Sequence, residues 1–353
     1  MTVASSDYLF AGVVRLRVRG PARAVRHFDA EYGEAAAPPA PPDVDVRVRW
    51  GTRVELLPGG TVVTGGHKTA RWRVALGPLE EHPLRAELAV HGGPPSFALS
   101  LLQGWFVEAL VAAALARAGR VALPGAAFAG TGGATVLLGR SGAGKTTLTA
   151  RALAAGRTVL SDDQVVLDAG GQVWRYPRRL RLYPDVQQTA PDAWSRLRPA
   201  TRSTLLLRGR VRRLTRGHVA PSLAVPATEI GGTVVRTPLP VHRLVVVDRS
   251  DADTLTVAPR PPSWVVHQAG LVLSDQRARI TRDAGPAWAR CLEEVLAAEC
   301  RTLTAALAGV PAVELALPQA WGARESVDAL EAQLGVTPAA AAAPAEGPPA
   351  PTR

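Results

Sequence analysis

One octet constrains this chain more than any other feature: Gly139-Arg140-Ser141-Gly142-Ala143-Gly144-Lys145-Thr146 fits GxxxxGK(S/T) at every fixed position, with Gly142 as a third glycine inside it. The spacing has a physical cause. Backbone N–H groups can wrap a phosphate only where side chains are absent, and the helix N-terminus that follows adds its partial positive charge. A lysine then reaches the outer phosphates, and the hydroxyl after it helps to hold Mg²⁺. The flanks agree: an apolar, β-branched run at 134–138 (ATVLL) precedes the loop, and a helix-forming run at 147–155 follows and stops at Gly156. Strand, glycine-rich loop and helix in this order predict an α/β nucleotide-binding domain. The phosphate contacts expected are Gly139, Ser141, Gly142, Ala143, Gly144, Lys145, Thr146 and Thr147, with Thr146 also at Mg²⁺. A glycine turn without a ligand is the alternative.

Composition sharpens the reading of the lysine. The chain has 41 lysines and arginines against 30 acidic residues, a net charge of +11, yet lysine occurs only at Lys68 and Lys145. One of the two therefore sits where a planar guanidinium is a poor substitute for a compact ammonium. A basic chain raises the question of nucleic acid, and residues 196–216 carry eight arginines and no acid. No aromatic residue interleaves that run, and no helix-turn-helix, zinc or RNA-stacking signature accompanies it, so nucleic acid is not the expected partner.

The 353 residues, 47% of them hydrophobic, suffice for two domains with cores of their own. Residues 1–120 read as an accessory α+β domain, because 14–20 (VRLRVRG), 44–50 (VDVRVRW) and 71–76 (RWRVAL) alternate apolar and charged residues as half-buried strands do. Residues 34–42 (EAAAPPAPP) have the composition of a surface loop. A helix is expected over 104–118, ending at Gly119. Residues 121–335 form the P-loop domain, and the Ala/Pro-rich 336–353 is expected to be a disordered tail. The apolar stretch 106–116 is interrupted by Glu108 and closed by Arg117, which predicts a core helix and no membrane span. No leader pattern opens the chain, so the cytoplasm is the expected location. Cys291 and Cys300 lie nine residues apart on one expected helix, too far along its axis to bridge.

A P-loop does not define a reaction; the carboxylates around it do. Residues 158–160 read as a short buried strand that ends in Ser161-Asp162-Asp163, with Asp162 seventeen residues beyond Lys145. Ligands of open α/β sheets lie outside the carboxyl ends of the strands, so these side chains should face the phosphates. One can bind Mg²⁺ while its neighbour takes a proton from an attacking hydroxyl, and adjacent carboxylates raise each other's proton affinity. An acidic turn is the competing reading, since 164–168 and 172–176 look like a hairpin around Ala169-Gly170-Gly171. A second candidate carboxylate is Asp248, at the end of the Walker-B-like run 244–248 (LVVVD), which would suit an ATPase or regulator with no phosphoryl acceptor. A nucleotide-binding scaffold without turnover is a third reading. Arg178, Arg179 and Arg181 follow the hairpin closely enough to neutralise charge at the site. His218 and His242 belong to no acid/base constellation, and Trp174 and Tyr176 read as packing residues.

Residues 137–168, LLGRSGAGKTTLTARALAAGRTVLSDDQVVLD, resemble the catalytic domain of HPr kinase/phosphorylase and the wider set of HPr-kinase-like serine kinases, including those that act on ribosomal peptide precursors. In that family a P-loop of form GxSGxGK(S/T) is followed by a helix ending in glycine and by paired aspartates on a short strand. The resemblance covers 121–250 and is tightest over its first third. It implies an HPr-kinase-like P-loop domain, ATP and Mg²⁺ as cofactors, and γ-phosphoryl transfer to a serine or threonine hydroxyl of a small protein or peptide. It also implies Asp163 as base and Asp162 as magnesium contact, with the two roles open to exchange, and a homo-oligomer as the assembly. Two departures stand out. Thr228-Glu229-Ile230-Gly231-Gly232 keeps the family's acidic residue as Glu229 but has Gly231 where the family has arginine, and 123–128 (LPGAAF) lacks the family's histidine, so phosphorylase activity is not implied.

Overall fold

The computed structural model describes residues 3–140, 142–216 and 222–335; Ser141, His218 and the Ala/Pro-rich 336–353 lie outside the described residues. Its mixed α/β architecture is organised around two large sheets. The first uses β1 (Val3–Phe10), β2 (Val14–Pro21), β3 (Ala36–Ala37), β4 (Val44–Trp50), β5 (Thr61–His67), β6 (Ala70–Leu76) and β7 (Leu84–His91), with helix α1 (Ala22–Tyr32) between β2 and β3. Its strand order is β3-β1-β2-β4-β7-β6-β5. Period-two alternation is obeyed: Val14, Leu16 and Val18 of β2 and Val44, Val46 and Val48 of β4 are buried, and the charged residues between them are not. Residues 34–42 are not wholly loop, because Ala36 and Ala37 pair with Tyr8 and Asp7 as a short edge strand.

The helix expected over 104–118 starts earlier. It runs from Pro95 to Arg117 as α2 (Pro95–Leu102), a π-helical turn (Gln103–Val107) and α3 (Glu108–Arg117). At 23 residues it is long and apolar enough to cross a bilayer, but 72% of its most apolar window is buried inside the protein. Leu99, Leu102, Phe106, Leu110 and Val111 pack into the core of the first sheet, which accounts for the apolar composition.

The second sheet begins with β8 (Arg120–Gly130) and β9 (Gly133–Gly139), followed by α4 (Lys145–Ala154), β10 (Thr158–Ser161), β11 (Gln164–Asp168) and β12 (Gln172–Arg175). A small ribbon of β13 (Leu180–Leu182) and β14 (Leu223–Val225) brackets α5 (Val186–Thr189), α6 (Pro191–Arg196) and α7 (Pro199–Leu214). The sheet is completed by β15 (Thr233–Val234), β16 (Leu239–Ser250), β17 (Thr256–Arg260) and, after α8 (Pro262–Asp283) and α9 (Pro286–Ala306), β18 (Ala312–Pro318); α10 (Ala323–Leu334) ends the described chain. β9, β16 and β18 are parallel neighbours, and β10, antiparallel to the same β8 that is antiparallel to β9, points the same way. Their carboxyl ends therefore share one edge. Pairings β8–β11, β11–β12, β12–β16, β16–β9 and β9–β8 close a ring.

Two cores cover the second sheet. One packs α4, α6 and α10 on Leu137, Val245 and Val247, and the other packs α8 and α9 on Val136, Leu244 and Val246. A third core belongs to both halves of the chain, because Tyr176, Ile280, Trp288 and Leu292 join the residues of the first sheet in one cluster.

Candidate functional site

β9 delivers Gly139 to the shared edge, where it pairs with Val247 of β16. The chain then turns through Gly142 (φ +87°) and Gly144 (φ +90°), backbone conformations that L side chains rarely adopt, before α4 starts at Lys145. A side chain at Gly142 would project into open space, whereas one at Gly144 would lie 3.0 Å from Val327 Cγ2 of α10. Lys145 is buried, and its Nζ donates to the carbonyls of Gly139 (2.6 Å) and Arg140 (3.0 Å). Burial pushes its ammonium pKa down, against the opposing pull of Asp163 and Asp162. The lysine thus lies back along its own loop, with the α4 N-terminus beside it.

The tandem aspartate is a break between two strands, with no change of register across it. β10 and β11 pair with one side of the same strand, β8, and Asp162 and Asp163 are the two residues between them. The Gln164 N–H donates to the Asp162 carbonyl (2.8 Å), the Gly125 N–H of β8 donates to the Asp163 carbonyl (3.0 Å), and Asp163 adopts φ +70°.

The two carboxylates end up in different surroundings. Asp162 is 4% exposed and neither of its oxygens completes an aligned hydrogen bond. Burial, and then the neighbouring Asp163, push its pKa up to about 7, although the hydroxyls of Thr146 and Thr149 pull the other way. An unsatisfied buried carboxylate is costly. Beside the Thr146 hydroxyl it makes an all-oxygen donor set of the kind Mg²⁺ takes, so these residues fit the ion expected from the sequence. The Asp163 side chain keeps 40% of its surface exposed, and its Oδ2 accepts from Arg178 Nη1 at 2.5 Å.

Arg178 is itself held. Its Nε lies 3.4 Å from Glu108 of α3, and the attraction of Glu108 and Asp163 outweighs burial to hold the guanidinium pKa up. Glu108 accepts from Tyr32 (3.0 Å), Gln103 (3.2 Å) and Gln164 (3.3 Å). A buried polar chain therefore runs from α1, through the π-helical turn, to the tandem aspartate. Glu108 was legible only as an interruption of an apolar run, and neither Tyr32 nor Tyr176, which is fully buried beside this network, carried any signal of it.

Above these groups opens a cleft of about 1500 Å³, lined by the loop and α4 (Gly139, Gly144, Lys145, Thr146, Thr147) and by Asp163. The first sheet and its helices supply the facing wall through His27, Lys68 and Phe97. Arg178, Arg179 and Arg181 all line it, with Arg181 paired to Glu31 at 2.9 Å. Other expected residues do not reach it. Strand parity sends Val245 and Val247 toward α4 but Val246, and hence Asp248, toward α8; Asp248 is exposed and accepts from the following N–H (2.9 Å). It is therefore not the carboxylate beside Thr146. Glu229 accepts from the Arg198 N–H (3.0 Å) just before α7 and lies outside the cleft lining. His242 is exposed beside the Gly132 turn. The Cys291 thiol donates to Glu80 (3.0 Å), and burial first, then Glu80, push it up to about 11. Compared with known proteins, the chain matches no family model and no curated protein.

Proposed function

We propose that this chain is an ATP- and Mg²⁺-dependent kinase of the HPr-kinase-like type, acting on a serine or threonine hydroxyl of a small protein or peptide. The observation that carries the reading is the division of labour at the tandem aspartate: one carboxylate buried unsatisfied against Thr146, its neighbour open to the cleft and gripped by the half-buried Arg178. ATP supplies the phosphoryl group when bound. The glycine-rich loop and the α4 N-terminus hold the phosphates through backbone N–H groups, and Lys145 exchanges its loop carbonyls for phosphate oxygens. Asp162 and Thr146 would hold Mg²⁺, which would neutralise phosphate charge. Asp163 accepts the hydroxyl proton on Oδ1, while Arg178 fixes the carboxylate through Oδ2.

Lys145→Ala should abolish binding of AMP-PNP, a non-hydrolysable ATP analogue, while the circular dichroism spectrum and melting temperature persist; full affinity in this variant would falsify the site. Asp163→Asn should keep nucleotide affinity and lose transfer by about 10²–10⁴-fold, the range of a missing general base. Incubation with labelled ATP and proteins of the source cell then names the acceptor. Phosphate release with no labelled species would instead favour an ATPase.

A further inference from the structure

Eight lysine or arginine side chains line the cleft against four carboxylates, and both of the chain's lysines, Lys68 and Lys145, are among the eight. Arginine fills almost every other basic position, so a retained lysine marks a place where a compact ammonium differs in effect from a planar fork. For Lys145 that place is the P-loop. Lys68 comes from the opposite wall.

The backbone at Lys68 is unusual too. Lys68 and Thr69 form the two-residue turn of the β5–β6 hairpin, in which His67 pairs with Ala70. Lys68 has φ +55°, a conformation for which hairpin turns select glycine, asparagine or aspartate. A strained residue persists only where its surroundings over-determine it, and such strain gathers at ligand clamps. The surroundings here are explicit. Arg71 Nη1 donates to the Lys68 carbonyl at 2.5 Å. A side chain at Gly93 would come within 2.9 Å of Thr69 Oγ1 and 3.0 Å of the Ala70 nitrogen, so the β7–α2 connection packs against the hairpin tip with no room to spare. His67 packs edge-on against Trp105 and tilted against Phe97, with centroids 5.9 and 6.2 Å apart, and ties the tip to the long helix. The backbone is fixed while the Lys68 side chain is exposed at the cleft wall.

Size leaves room for a second occupant. Pockets for a single small ligand run to about 1,000 Å³, and this cleft holds about 1500 Å³. We propose that Lys68 is a second phosphoryl-binding residue, contributed by the N-terminal sheet to grip a phosphate dianion across the cleft from Lys145. The inference rests on the nucleotide-binding reading above, and it gives residues 3–91 a part in the site. The dianion has two sources, the terminal phosphate of the bound nucleotide or a phosphate carried by the acceptor.

Calorimetric titration of the full chain separates these. The ligands are AMP-PNP with Mg²⁺, ADP with Mg²⁺, and inorganic phosphate added to protein already saturated with AMP-PNP; the proteins are wild type, Lys68→Gly and Lys68→Arg. Lys68→Gly relieves the strained turn, so its melting temperature should hold or rise while an affinity falls about tenfold. Loss confined to AMP-PNP assigns the terminal phosphate, loss confined to inorganic phosphate assigns the acceptor, and Lys68→Arg should recover only part of either. Unchanged affinities for all three ligands overturn the proposal, as does a parallel loss of every affinity with the melting temperature. Lys145→Ala keeps the two readings distinct: if it retains wild-type AMP-PNP affinity the nucleotide reading fails, and if it does not, the Lys68 variants judge this inference alone.

Discussion

Asp162 shows at the scale of one residue how a site can cost stability. A carboxyl whose pKa rises from the ordinary 3.8 to about 7 on folding binds protons more tightly in the folded state. Its contribution to stability is present in full below pH 4 and is lost as pH rises through 7, a difference of roughly 4 kcal/mol at most for a shift of this size. Asp162→Asn should therefore stabilise the nucleotide-free protein at pH 8 and flatten its stability between pH 5 and pH 8, as read by urea titration. Mg²⁺ with AMP-PNP should stabilise the wild type more than this variant, because only the wild type offers the ion a carboxylate. The left-handed backbone of Asp163, at φ +70°, also determines how its role is tested. Asparagine tolerates that conformation and alanine does not, so loss of activity in Asp163→Ala would confound chemistry with strain.

Elements explain why glycines of one loop are not equivalent. Gly142 and Gly144 both need positive φ, but a side chain at Gly144 would press on α10 and one at Gly142 would not touch protein. Gly144→Ala should cost about 1–3 kcal/mol of stability along with nucleotide affinity. Gly142→Ala should lose more affinity than stability, since its methyl group would project into open space at the loop; equal stability losses for the two would contradict this packing. The helical layer on the far face depends on charge. Arg277 of α8 and Glu299 of α9 form a bidentate pair whose side chains are 7% and 0% exposed. Removing one partner strands a buried charge, so Arg277→Ala should destabilise the protein by about 3–5 kcal/mol in urea titration.

For the whole molecule, the decisive feature is that the first core is common property. Residues of the N-terminal sheet cluster with Tyr176, Ile280, Trp288 and Leu292 of the second half, and the polar chain from Tyr32 through Glu108 and Arg178 to Asp163 crosses the same interface. The full chain should accordingly melt in one cooperative transition by calorimetry, and a fragment of 121–335 should expose this apolar surface and aggregate. Two well-separated transitions would show instead that the halves fold independently.

What the sequence determined by itself was local. The loop's glycine spacing, the strand before it, the helix capped at Gly156 and the alternating strands of the first sheet follow from backbone sterics and periodicity, which neighbours in the chain decide. The adjacency of Asp162 and Asp163 was equally plain, but not that the break between β10 and β11 would bury one and leave the other open. Asp248 ended a Walker-B-like run, and strand parity turned it toward α8. Lys68 lines this cleft, and Glu108, with Tyr32 bonded to it, holds Arg178 there; all three come from residues 3–117, and long-range packing alone brings them there. Burial, the face of a strand and the meeting of distant side chains are properties of the assembled core, so only the tertiary structure decided them.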